Sequence, residues 1–309
     1  MAMRASDFPE LQDTPLRKIW FLAVDEAPPE YKQWTNIFRS KRAFEDDLRM
    51  AEFGAVPEHT EGNVPLFEDA LENETRRYTP KEFVLGYTMT QTMREDELHG
   101  IAVQMTRGLR RSVRHGFETE AYKILNNSTT ASAARDKGFD GLALLSIAHT
   151  SAASGYASQA NKPTTDATLG QTVLENAVKA FHGWTGEKGL PILSTPSMAI
   201  VHGDDQFKAA RLFRNAERYD TANREDNWIK KGPDDNGIRK YIASRYFTAT
   251  NQWFLMSDKG GHDLNMLIRV QPQFETWIDP ATGNFQAKAR YRIVSGYSHW
   301  YGVYGSKGF

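Results

Sequence analysis

Apolar residues recur every three or four positions along one stretch of the chain. Leu98, Ile101, Ala102, Met105, Leu109 and Val113 share a face at helical period, and Phe117, Ala121 and Ile124 carry the stripe on. The pattern predicts a single helix over 92–126, about 50 Å long at 1.5 Å per residue. Thr92 and Glu95 have the spacing of a capping box, and Glu95, Asp96 and Glu97 place negative charge where the helix dipole favours it. Upstream the period changes to two. Phe83, Leu85, Tyr87 and Met89 alternate with Val84, Gly86, Thr88 and Thr90, which predicts a strand feeding the helix.

Further along, Val173, Leu174, Ala177, Val178 and Phe181 predict a second helix, with Thr168 and Gln171 as its capping box and Gly183 as its stop. SMAIV (197–201) reads as a buried strand. Asp204 or Asp205 is placed to cap a third helix with Phe207, Ala210 and Phe213 inward, and 215–240 has the look of a charged surface loop. Residues 245–257 read as a strand. FETWI, the turn DPATGN and FQAKARYRIVSGY read as a hairpin. Helices and non-contiguous, mostly late strands give an α+β class.

Two segments resist this grammar. Residues 1 to about 50 are broken by Pro9, Pro15, Pro28 and Pro29 but carry Trp20, Phe21, Tyr31, Trp34, Ile37 and Phe38. An aromatic arm lying on another surface fits that composition. Residues 51–75 hold Glu52, Glu58, Glu61, Glu68, Asp69, Glu72 and Glu74 with no Lys or Arg, and Gly54, Pro57, Gly62 and Pro65 oppose helix. This is an extended acidic excursion, and loops this long usually have a role.

Composition narrows the function classes. The 309 residues are 40% hydrophobic and 25% charged with net charge -1, so no global field selects nucleic acid or anionic lipid. Without cysteine there is no disulfide, thiolate metal site or cysteine nucleophile. No apolar run approaches the roughly 20 residues of a membrane span, and the first residues lack an apolar signal core.

Four constellations could carry chemistry. His202, Asp204 and Asp205, with His262 and Asp263, have metal-ligand chemistry and would suit a cytoplasmic metal-dependent hydrolase, but lack a motif such as H-E-x-x-H. Asp140, Ser146 and His149 lie close in sequence without a G-x-S-x-G elbow. Gly183, Gly186 and Gly189 lack the G-K-[ST] of a phosphate loop. Arg107, Arg110, Arg111 and Arg114 form a basic ridge roughly opposite the apolar stripe, with no acid between Leu98 and Arg114. The ridge fits a solvated face, a phosphate-contacting face, or a docking face for an acidic segment.

Several stretches, in this order, resemble the major capsid proteins of tailed bacteriophages with the Hong Kong 97-type fold, in the branch resembling the Mu-like major head subunit. They are GYTMTQTMREDEL (86–98), GFDGLALLSIAHT (138–150) followed by Asn161, Lys162 and Pro163, EKGLPI (187–192) leading to SMAIV, and HWYGVYGSKG (299–308). The resemblance implies an N-terminal arm (1–50), an E-loop (51–90), a peripheral domain with a spine helix (91–145), an axial domain (146–245) and returning strands (246–309). It implies no catalysis and no cofactor. It implies hexamers and pentamers assembled in the host cytoplasm into an icosahedral virion shell around double-stranded DNA, with a portal protein. The region before the loop lacks a heptad pattern, so a separate scaffolding protein is expected. Lys81 is the only lysine of the loop region, and no motif match supplies an asparagine partner for a crosslink. The candidate intersubunit contacts are Trp20, Trp34, the loop acids Glu58, Glu61, Glu68, Asp69, Glu72 and Glu74, and the arginine ridge.

Overall fold

Gly100 decides where the long helix begins. Its φ of +65° is left-handed, a conformation glycine adopts without the Cβ clash other residues meet. The predicted single rod is therefore two pieces, α3 (Gln91–Glu95) and α4 (Ile101–Asn126). The cap also moves: the Thr90 side chain, not Thr92, accepts from the Met93 amide at 3.3 Å. In this computed structural model the described residues are 16–21, 28–50, 53–62, 64–68, 72–96, 100–150, 157–218, 225–231, 237–238 and 240–308. Glu52, Asp69, Glu97 and Leu98 of the sequence reading lie outside them.

From Ala102 the stripe behaves as its period predicts. Ala102, Leu109, Val113, Phe117, Ala121 and Ile124 are buried. They press on a four-stranded sheet ordered β1 (Asn36–Arg39), β8 (Leu264–Ile278), β9 (Phe285–Tyr297) and β4 (Lys81–Met89). β1 runs parallel to β8, and the other pairs are antiparallel. Along β9, buried Phe285, Ala287, Ala289, Tyr291 and Ile293 alternate with half-buried Gln286, Lys288, Arg290 and Arg292. The Phe117 and Tyr291 rings lie 4.8 Å apart, and a Cβ on Gly116 would sit 2.1 Å from the Tyr291 hydroxyl. Gly116 is thus what lets the helix approach the sheet so closely.

A second sheet is ordered β10 (Val303–Ser306), β7 (Trp253–Ser257), β5 (Pro196–His202) and β6 (Lys240–Ser244), with only β5 and β6 parallel. α5 (Gln171–Gly183), α6 (Gln206–Arg214) and the turn α7 (Trp228–Lys231) accompany it. The chain leaves this sheet after β7, builds the β8–β9 hairpin of the first, and returns as β10. One continuous apolar core links the two.

Several expectations need correction here. Residues 245–257 are not one strand: β6 ends at Ser244, and a turn with Asn251 at φ +61° precedes β7. The inward face of α6 is Ala209, Leu212 and Phe213, while Phe207 is exposed, because the helix starts only after the turn Gly203–Asp205. α5 starts at Gln171 after Gly170 and has no side-chain cap, so the Thr168–Gln171 box does not form.

Candidate assembly surfaces

The acidic excursion has a stem. β2 (Glu45–Met50) pairs antiparallel with β3 (Glu72–Tyr78), and residues 53–62 and 64–68 run between them without regular structure. The stem therefore begins inside the segment read as the arm, and β4 belongs to the first sheet rather than the loop. Glu58 and Glu61 are exposed, whereas Glu68 is occupied within its own chain. Its Oε2 accepts from the Gly54 amide at 3.0 Å and from Lys188 Nζ at 3.1 Å. Those two bonds, the backbone one first, hold the Glu68 carboxyl below its ordinary range. Asp69 lies outside the described residues, as do the side chains of Glu72 and Glu74 in β3. The acids are interleaved with Phe53, Val56, Val64, Leu66 and Phe67, which are 60–94% exposed.

The arginine ridge divides into two. Arg107 and Arg111 are exposed on α4, while Arg110 and Arg114 are half-buried. The latter pair lines a cavity of about 710 Å³ between α4, β8 and the aromatic segment before β1. Trp20, Tyr31, Val113, Phe117 and Ile268 form apolar walls, and Lys32 and Arg39 add positive charge.

In the described part of the aromatic segment Trp20, Tyr31 and Trp34 are buried, while Phe21, Ile37 and Phe38 are exposed. Trp20 stacks on Phe274 at 5.0 Å, and fully buried Trp34 meets the Tyr122 ring edge-on at 5.3 Å. Burial inside one chain removes Trp34 as a contact to a neighbour, while Trp20 keeps an edge on the cavity beside α4. The fastening is polar as well. Glu118 Oε1 accepts from the Glu30 amide at 2.7 Å and Oε2 from the Tyr31 amide at 3.0 Å. These bonds cap the turn α2 (Tyr31–Trp34) from another element. The Tyr122 hydroxyl donates to Glu30 at 2.8 Å. Burial pushes the Glu118 carboxyl up, and burial with the Glu118 charge pushes Tyr31 up to about 12.

A buried node joins three of the motifs. His149 Nδ1 meets Asp140 Oδ2 at 2.5 Å, and Nε2 meets Asn161 Oδ1 at 3.0 Å. Asn161 Nδ2 donates to the carbonyls of Leu144 and Val303, which sets its amide orientation, and Oδ1 also accepts from the Ser146 amide. The His149 ring stacks on Trp300 at 4.4 Å, and Trp300 meets Trp184 edge-on. Ser146 Oγ accepts from the Ala148 amide. Asp140 and His149 do converge, but Asn161 takes the position a nucleophile would need.

The profile of the family described as Phage capsid protein matches residues 73–306. The chain belongs to the phage capsid protein family. No curated protein matches it. Among solved structures it resembles the mature capsid of bacteriophage PhiM1, with TM-score 0.57, 11% identity, and 92% of this chain and 88% of that one covered. A chain from Microbacterium phage Oxtober96 gives TM-score 0.56 at 12% identity over 93% and 95%. The virus-like particle of Pyrococcus furiosus gives 0.55 at 10% over 95% and 98%. The fold is the Hong Kong 97-type capsid fold, of α+β class.

A capsid protein of this family is a structural subunit of the virion shell, not an enzyme. The putting together of His202, Asp204, Asp205, His262 and Asp263 into a hydrolase centre fails on geometry. His202 ends β5, bonding through its amide to Gln252, while Pro196 at the other end pairs with Ser257, near His262. Six residues of strand separate the ends, about 20 Å at 3.3 Å per residue. Among the described residues no three His, Cys, Asp or Glu side chains group to hold a metal ion. His202 Nδ1 instead accepts from the Asp204 amide, and burial pushes His262 down to about 4. Glu118 and Asn161, which hold this capsid subunit together, were missed by pattern reading. A carboxylate on the stripe side of α4, one position after Phe117, was the available signal for the first.

Proposed function

We propose that this capsid protein builds the icosahedral head of a tailed bacteriophage from hexamers and pentamers, assembled in the host cytoplasm around double-stranded DNA. A separate scaffolding protein and a portal protein complete the assembly, and the chain falls in the Mu-like branch. In this reading α4 is the spine helix and, with the first sheet, forms the peripheral domain. The second sheet is the axial domain, and residues 53–68 on the β2–β3 stem are the E-loop.

The observation that carries the reading is this loop. Five large apolar side chains and the acids between them stand exposed on a two-stranded stem. An unpartnered apolar surface of this kind marks a contact site. A neighbouring subunit offers the matching chemistry in the cavity beside α4, with apolar walls and the charges of Lys32, Arg39, Arg110 and Arg114. Opposite fields fix which surfaces meet, while the apolar residues supply affinity.

The test is joint charge reversal, Arg110→Glu with Arg114→Glu, in the expressed capsid protein. Electron microscopy and sedimentation should show loss of shells while circular dichroism of the subunit is retained. Intact shells that retain less DNA would overturn loop docking. A second reading, in which exposed Arg107 and Arg111 contact phosphate on an α4 face that has no acid between Ile101 and Arg114, predicts instead that Arg107→Glu with Arg111→Glu leaves shells intact and lowers their DNA content.

A further inference from the structure

Adjacent arginines in β3 have opposite fates. Arg77 points outward, and its guanidinium forks onto Asp46 at 2.7 and 2.8 Å. Arg76 points inward and is 7% exposed, yet its Nε and Nη2 make no hydrogen bond among the described residues. The carboxylate across the ladder is already engaged. Asp47 pairs with Arg76 in register, but its Oδ2 accepts from Ser298 Oγ at 2.5 Å, and that oxygen meets the Tyr78 hydroxyl at 2.6 Å.

A second carboxylate with unused capacity stands in the same buried region, where Gly296 lies against both the Tyr78 ring of β3 and the Arg135 carbonyl. Asp136 is 3% exposed, and its Oδ2 takes Asn127 Nδ2 at 3.3 Å. Its Oδ1 makes no hydrogen bond among the described residues, with Arg135 Nε 3.8 Å away. Arg135 spends its Nη1 on Glu120 at 2.6 Å. Burial holds the Arg76 guanidinium below its ordinary range, against smaller opposing effects of Tyr78, Tyr297 and Asp136. A guanidinium and a carboxylate buried together without a direct bond are expensive, since each has lost water and neither has gained the other.

The stem is irregular one pair beyond Arg76. The β2–β3 ladder runs evenly from Glu45↔Tyr78 to Leu48↔Thr75, then shifts register to reach Met50↔Glu72. Such an irregularity leaves the ladder locally disrupted and bends the strand that carries it.

We propose that the β2–β3 stem is a latch with two positions, open in the free subunit and closed, with Arg76 bonded to Asp136, once the loop is seated on a neighbour. The latch rests on the loop-docking reading, because docking is what draws β3 along the stem. Closing it gives the assembled shell an ion pair that the free subunit lacks, and so couples loop seating to the interior of the subunit that owns the loop.

A double-mutant cycle tests it. Arg76→Met, Asp136→Asn and the double variant are compared as free subunits by urea unfolding and as shells by thermal disassembly. The expected result is additive, small effects in free subunits. In shells each single substitution should lower the disassembly midpoint, and the double should lower it no further than either alone. Non-additivity already present in free subunits, or additivity in both states, overturns the latch. Should Arg76→Met not fold, hydrogen exchange of wild-type residues 45–50 and 72–78 decides: protection must rise on assembly, and equal protection in both states refutes the proposal. Microscopy of the same samples reports docking separately, since shells that form without coupling sink the latch alone.

Discussion

Glu68 and Lys188 meet at 3.1 Å, tying the foot of an acidic loop to the turn after α5 of the same chain. Each side chain keeps about 30% of its exposure. A solvent-facing pair of this kind contributes little to global stability but fixes where a flexible segment points.

Lys188→Ala should therefore leave the thermal midpoint of the subunit nearly unchanged while speeding proteolytic cleavage within 53–68. The contact should also fade with acid. The carboxyl is lowered in the folded chain, so its contribution is present above the ordinary glutamate value of about 4.3 and lost as pH falls through the lowered one. Limited proteolysis across that range checks both parts, with the variant keeping only the pH dependence that the Gly54 amide confers on Glu68.

Glu118→Ala removes the acceptor of two buried amides, those of Glu30 and Tyr31. The expected loss is about 2–3 kcal/mol in subunit unfolding. Glu118→Gln keeps one acceptor and should lose about 1 kcal/mol. The pH dependence runs opposite to that of Glu68. Burial raises the folded Glu118 carboxyl, so the native state binds its proton more tightly. Stability from this site grows as pH falls from the raised folded value toward about 4.3, and Glu118→Gln abolishes that increment. Urea midpoints of both proteins between pH 4 and 7, on the order of one-unit steps, read the difference.

Asn161→Ala strips partners from His149 and from the Leu144, Val303 and Ser146 backbone groups at once. A buried network broken in this way should cost about 2–4 kcal/mol. Because Val303 opens β10, hydrogen exchange should quicken in 303–306 before it does in α4. Trp300, stacked on His149, should report the change as a red-shifted fluorescence.

How much of this was readable beforehand follows from where the information lies. The stripe from Ala102 to Ile124 and the alternation from Phe83 to Met89 are local repeats, and a repeat imposes its face wherever the element packs. The β8–β9 hairpin was legible for the same reason. Gly100 was visible as a glycine, but only its backbone angle divides the rod into α3 and α4. Trp34 is an aromatic in a proline-rich stretch, and nothing local says that Tyr122, far along the chain, will cover it. The surface role given to Trp34 failed there. So did the shared site for His202 and His262, because strand register placed them at opposite ends of β5.

The one-dimensional pattern was thus sufficient for the α+β class, the long amphipathic helix, the acidic loop and the capsid family. Each of these depends on residues near one another in sequence or on the order of short motifs. Tertiary structure alone decided that Trp20, Tyr31 and Trp34 are core, that Glu68 belongs to Lys188, and that Asp140, His149 and Asn161 form a buried node. It also decided that Arg76 is buried without a full set of partners. Those facts arise from contacts between distant segments, whose pairing is chosen by the packing of the whole chain and is written in no local period.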